Sequence, residues 1–204
     1  MTEWALGVSY ADQIAGSTYI EFDDVEVPAA NLLGKENEGF KIFMSNFNHE
    51  RLWLACTSLR LARICAQDAY EHANWRETFG KKLIENQVIR QKFSSFGRII
   101  EPAHSYMEQL VYLIEETKKT PGVGQDPRIG GLSANLKVMA ARCLEHVNRE
   151  AQQVFGGFGY SKYGRGGRVE QISRDVRIMV VGGGSDEILS DLAVREEIKA
   201  RASL

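Results

Sequence analysis

Glu50 lies on an apolar helical stripe. Phe43, Phe47, Glu50 and Leu54 fall at offsets of 0, 4, 7 and 11, which one helix face collects. A carboxylate there costs free energy unless it is paired or put to use. Desolvation raises a carboxyl pKa toward neutrality, where a general base works. Two readings stand side by side: a proton-abstracting base, or half of a salt bridge to a neighbouring helix, to Arg51 or to Arg60. The second candidate is the loop Val180-Val181-Gly182-Gly183-Gly184-Ser185-Asp186-Glu187. Three glycines permit positive φ and close approach of a ligand. Ser185 is a good N-cap, and Asp186 and Glu187 suit the first turn of a following helix. The loop's N–H groups can serve a carbonyl or a ribose hydroxyl, whereas the two acids repel phosphate. The alternative is a plain helix–helix turn.

Two further segments join glycine to groups suited to binding. One is Arg76-Glu77-Thr78-Phe79-Gly80-Lys81 with Gln87 downstream, and the other is Gln153-Val154-Phe155-Gly156-Gly157-Phe158-Gly159-Tyr160. Phe79-Gly80 can equally be a turn bearing a core aromatic, and Gly156-Gly157 a helix C-cap. Gly157-Phe158-Gly159 is no dinucleotide fingerprint, because a helix precedes it rather than a strand. Arg165, Arg168, Arg174 and Arg177 form a basic cluster near glycines, suited either to phosphate or to a solvated face. His49, His72, His104 and His146 show no metal-ligand spacing with one another or with a cysteine, so no metal site is expected.

The elements that must position these groups are mostly helical. From about residue 36 the apolar period is that of a helix, and it predicts helices over 38–75, 85–117, 128–155, 169–179 and 186–200. The span 120–127 carries the clearest loop signal, and residues 156–167 hold six glycines in an irregular connection. Upstream, Thr18 to Phe22 alternates as a strand does, Asp23-Asp24 marks a turn, and Val25-Glu26-Val27-Pro28 is a short edge piece closed by proline. The fold class is therefore mainly α: an up-and-down helical bundle over residues 36–204, preceded by a short β segment over 1–35.

Composition narrows the function classes. A hydrophobic fraction of 44% over 204 residues supports a sizeable core, and a net charge of −2 gives no electrostatic case for nucleic acid or an anionic membrane. No apolar run reaches about 18 residues, so no membrane span is expected. Cys56, Cys65 and Cys143 are odd in number and set in helical patterns, so they read as buried thiols of an intracellular, soluble protein in a reducing compartment, the organelle left open.

Four segments carry a family resemblance. The Arg76 to Lys81 string with Gln87 is similar to the Arg-x-Thr-Phe-Gly-Lys…Gln signature of the acyl-CoA dehydrogenases. Gln153 to Tyr160 resembles that family's Gln-x-x-Gly-Gly-x-Gly-Tyr/Phe, and Arg174-Asp175, nine residues before Gly183, its Arg-Asp ahead of the glycine loop. Gly16 to Pro28 resembles the end of the family's middle β-domain. The resemblance covers essentially the whole chain but only the second half of a usual member. It implies that residues 1–35 are a remnant of the middle domain and that 36–204 are the C-terminal bundle. It also implies α,β-dehydrogenation of an acyl-CoA with FAD, a homodimer or homotetramer, and an electron acceptor left unspecified.

Most members carry their catalytic glutamate in the glycine loop as Glu-Gly-Thr, where this chain has Gly183-Gly184-Ser185. A subset resembling the long-chain and isovaleryl enzymes places the base on the first long helix, in a Glu-Arg pair, which Asn48-His49-Glu50-Arg51-Leu52 matches. The resemblance thus implies Glu50 as base, the Gly183 N–H as donor to the thioester carbonyl, and Arg51 as a substrate contact on the coenzyme A side. Phe47, one turn before Glu50 on the same face, is a further substrate-binding candidate. Arg76, Phe79, Gln87, Gln153, Gly156 and Gly157 would bind the adenosine and pyrophosphate of FAD, in the family that of a neighbouring subunit. Ser185 and Glu187 occupy the family's flavin-contacting Thr and Gln positions, and Glu187 departs from that pattern by placing a charge there. A dehydrogenase-like binding or oligomerisation module without catalysis is the alternative. The 204 residues alone are expected to be inactive and to bind FAD weakly or not at all, because the strands facing the isoalloxazine are missing.

Overall fold

The computed structural model describes residues 2–5, 18–119 and 128–202. They divide into two compact units, Met1–Phe47 and Asn48–Leu204. The span 120–127 lies outside the described residues.

In the first unit, β1 (Thr2–Ala5) pairs antiparallel with β2 (Thr18–Glu21), Thr2 opposite Glu21 and Ala5 opposite Thr18. The expected edge strand at Val25 to Val27 is not one: the segment passes through Pro28 into a 3-10 turn at Ala29–Asn31. Extended backbone becomes a strand only when a neighbour completes its ladder, and among the described residues none pairs with it.

Helix α1, Gly39–Trp75, begins at the end of this unit and continues in the next. In the second unit it presents Ala55, Leu59, Ala62, Cys65, Ala69 and Ala73, all buried and on one face. The small side chains let neighbouring backbones come close. A tight hairpin follows, β3 (Glu77–Thr78) against β4 (Lys81–Lys82), turning through Phe79 at φ 52° and Gly80 at φ 75°. Phe79 at this tip is fully exposed, so of the alternatives the turn holds but the core aromatic does not. Helix α2 (Gln87–Lys119) and helix α3 (Ile129–Phe155) come next.

Helix α3 is the centre of the bundle and packs against α2, against α4 (Gly167–Val181) and against α5 (Asp186–Ala202). Its buried residues, among them Ala134, Leu136, Val138, Ala141, Leu144, Val147 and Ala151, cover most of its circumference, and Asn135, Arg142, His146 and Arg149 form its exposed stripe. It stops at Gly156, whose positive φ of 58° turns its N–H back onto the Gln152 and Gln153 carbonyls.

Cys65 and Cys143 are buried as expected, and burial pushes both thiols up to about 11. Cys56 is only half-buried, contrary to expectation, with its thiol 3.3 Å from Met107 Sδ. The basic cluster is dispersed rather than convergent. Arg165 stacks over Trp75, Arg168 pairs with Asp68, Arg174 with Glu170 and Arg177 with Glu145. No described helix is long and apolar enough to cross a membrane.

Candidate functional site

Helix α1 and the glycine loop meet through Arg51. Its side chain is buried, and Nε donates to the Gly183 carbonyl at 3.2 Å while a terminal nitrogen donates to Asn48 Oδ1 at 3.2 Å. Burial pulls the guanidinium pKa below its ordinary value, and the neighbouring Glu50 carboxylate acts the other way. Arginine remains charged through any such shift. A solvated surface arginine is therefore not what the sequence position becomes. Glu50, half-buried, precedes this anchor in the chain.

The loop has a defined polarity. Gly182 donates its N–H to Ile178 O and Gly184 donates to Val181 O, whereas the Gly183 N–H has no acceptor among the described residues. Gly183 holds φ at 70°, and a Cβ there would lie 2.9 Å from Leu54 Cδ1. Only glycine suits both the conformation and the space. The Ser185 hydroxyl bonds the Glu187 carboxylate, which its own backbone N–H and then Ser185 hold below the usual carboxylate range.

A groove of about 550 Å³ opens where the hairpin meets the end of α3. Arg76, Thr78, Phe155, Gly156 and Gly157 line it, so two of the family-like segments converge there. The Cβ positions of Gly156 and Gly157 have nothing within 4 Å, so backbone is open to a ligand. Gln87, at the start of α2, Gln153 and Phe79 are exposed and are not among the groove's lining residues. Phe47 belongs to the first unit, where its ring is 5.0 Å from that of Phe43.

Two residues here were not anticipated. His72 lines the groove with its ring 4.5 Å from that of Phe155, and its Nδ1 is buried without a hydrogen-bond partner. Burial, then Arg76 and Arg165, lower its pKa below 6.5. Lys137 is fully buried on α3, and its ammonium donates to the carbonyls of Val180 and Gly184. Asn135, Arg142, His146 and Arg149 share one exposed face of the helix and Lys137 falls on the opposite face, which is the signal the sequence held.

Residues 37–197 match the acyl-CoA dehydrogenase C-terminal domain. The chain is 47% identical over 185 residues to acyl-CoA dehydrogenase AFT10-1 of Alternaria alternata, covering 90% of this chain and 42% of that protein. It is 39% identical over 184 residues to acyl-CoA dehydrogenase apdG of Emericella nidulans, covering 90% of this chain and 41% of the relative. Among solved structures, butyryl-CoA dehydrogenase from Megasphaera elsdenii superposes with a TM-score of 0.72 at 30% identity, covering 87% of this chain and 43% of that one. The chain thus spans less than half the length of these relatives. Its helical bundle and its motifs make this chain a member of the acyl-CoA dehydrogenase family.

Proposed function

We propose that this chain is the C-terminal portion of a flavin-dependent acyl-CoA dehydrogenase, with residues 1–35 a remnant of the middle β-domain and 36–204 the C-terminal bundle. In this reading Glu50 is the base. Its carboxylate takes the proton from Cα of a bound acyl-CoA, and the Gly183 N–H holds the thioester oxygen as negative charge develops there. FAD, when bound, supplies the acceptor for the hydride from Cβ. Arg51 keeps the loop in register with the helix that carries Glu50, and Phe47 with Arg51 borders the substrate. The observation that carries the reading is the Arg51–Gly183 hydrogen bond, which ties the base-bearing segment to the glycine loop.

The groove fits part of the cofactor. A pyrophosphate asks for a cation and for backbone free of side chains, and Arg76 with Gly156 and Gly157 offers both. Phe79, Gln87 and Gln153 would complete that contact at its rim, while Ser185 and Glu187 would face the flavin from the loop. The exposed Ile188, Val194 and Ile198 of α5, with the Asp191–Arg195 pair between them, supply contacts for a homodimer or homotetramer.

The test is the absorbance of the purified full-length protein before and after anaerobic addition of acyl-CoA thioesters of several lengths. Bound flavin that bleaches with one length class supports the reading. Flavin that no thioester bleaches favours a non-catalytic relative, and a colourless protein leaves only an assembly role. The 204 residues alone are expected to hold little or no FAD, and tight stoichiometric FAD in them would contradict this.

A further inference from the structure

Lys137 has an exposure of 0%. Taking an ammonium out of water costs several kcal/mol even after relaxation, and an apolar side chain of similar volume would fill the same site at less cost. Burial is the largest influence on it and lowers its pKa, with Arg51 adding to that effect and Asp186 opposing it. What the ammonium gains is a pair of carbonyls, Val180 O and Gly184 O at 2.8 Å for the second. These two groups stand at either end of the glycine turn. Between them, Gly183 O is taken by Arg51. Two buried cations, one from α1 and one from α3, therefore hold three carbonyls of a five-residue stretch.

The loop cannot hold this shape by itself. Gly183 and Gly184 have φ of 70° and 121°, and glycine visits many other conformations as readily. Its short hydrogen bonds use the N–H groups of Gly182 and Gly184 only. The shape must be imposed from outside, and the donor left without an acceptor among the described residues is the Gly183 N–H.

We propose that Lys137 is a positioning residue that fixes the Gly183 N–H for the thioester oxygen by anchoring the carbonyls of Val180 and Gly184. This rests on the dehydrogenase reading above. Lys137 touches neither substrate nor flavin. Its ammonium sets the loop's peptide planes before the substrate arrives, so that the donor needs no reorganisation as charge develops on the oxygen.

The experiment uses the full-length flavin-loaded protein with Lys137→Met, which keeps the stem and removes the ammonium. Three quantities are read: flavin content, kcat and KM for the acyl-CoA that bleaches the wild type, and the infrared carbonyl stretch of bound trans-2-enoyl-CoA labelled with carbon-13 at C1. Loss of a whole oxyanion donor costs about 10²–10³ in kcat. A misplaced donor is expected to cost about 10–100-fold in kcat, with flavin retained and KM nearly unchanged. The labelled stretch is expected to move back toward its position in free solution. An unshifted stretch in a folded, flavin-loaded variant overturns the proposal, whatever happens to kcat. If Lys137→Met does not fold, Lys137→Gln, which keeps one donor, is read by the same stretch and the same criterion. A wild type that neither holds flavin nor oxidises any acyl-CoA overturns the dehydrogenase reading together with the role built on it.

Discussion

Arg51 and Gly183 are 132 residues apart in the chain and joined by one hydrogen bond, from Nε to the carbonyl oxygen at 3.2 Å. The bond brings the helix position beside Glu50 to the loop whose free N–H is the candidate oxyanion donor. Removing it strands a carbonyl in a half-buried setting. Arg51→Met is expected to lower stability by about 1.5–3 kcal/mol, the usual range for a hydrogen bond to a charged group. Denaturant unfolding checks this, and an unchanged midpoint would contradict it.

Gly183→Ala meets two obstacles at once, a φ of 70° and Leu54 Cδ1 at 2.9 Å. The strain alone is on the order of 1–3 kcal/mol. Shortening the neighbour removes the clash but not the conformational cost. Gly183→Ala combined with Leu54→Ala should therefore lose less stability than the sum of the two single changes. Strict additivity in a double-mutant cycle would show that the contact has no energetic weight.

His72 gives the bundle a pH dependence. Burial first, then Arg76 and Arg165, hold its imidazole below the ordinary 6.5, so the unfolded chain takes up a proton that the folded one refuses. The stabilisation is complete above pH 6.5 and is lost as pH falls through that value toward the lower folded pKa. The slope cannot exceed about 1.4 kcal/mol per pH unit for one proton. His72→Phe keeps the ring packing against Phe155 and should remove this slope. Stability curves of equal slope for the two proteins between pH 5 and 7 would refute the assignment.

The thiols should separate by accessibility. Cys65 and Cys143 are buried with their pKa pushed to about 11, while Cys56 is half-buried, its pKa also raised by burial. Iodoacetamide is expected to modify Cys56 first and the other two only on unfolding. Peptide mapping reads the order, and early labelling of Cys65 would count against this packing.

Much of the bundle was legible because its helices announce themselves. The glycines after Phe155 and Val181 stop α3 and α4, and the apolar period of α1 persists to Trp75. Pairing was less legible. Val25 to Val27 has strand-like residues, yet no described neighbour completes a ladder with it. A core aromatic was one of two readings of Phe79, but the two-residue hairpin turn places it at a positive φ and fully exposes it. Of the candidate site, Arg51 and Gly183 were nameable separately, whereas their bond depends on how α1 and the loop pack. Lys137 was missed because a lysine in a helical pattern is read as exposed by default. Only its setting among Ala134, Leu136, Val138 and Ala141 says otherwise.

The central claim is that Glu50 takes the α-proton. The most direct measurement is anaerobic titration of the full-length flavin-loaded protein with the acyl-CoA that bleaches the wild type, repeated on Glu50→Gln. The account predicts that the variant keeps its flavin and binds the thioester, while bleaching slows by a factor of at least about 10³ or disappears. Bleaching at the wild-type rate in Glu50→Gln would place the base elsewhere and contradict it.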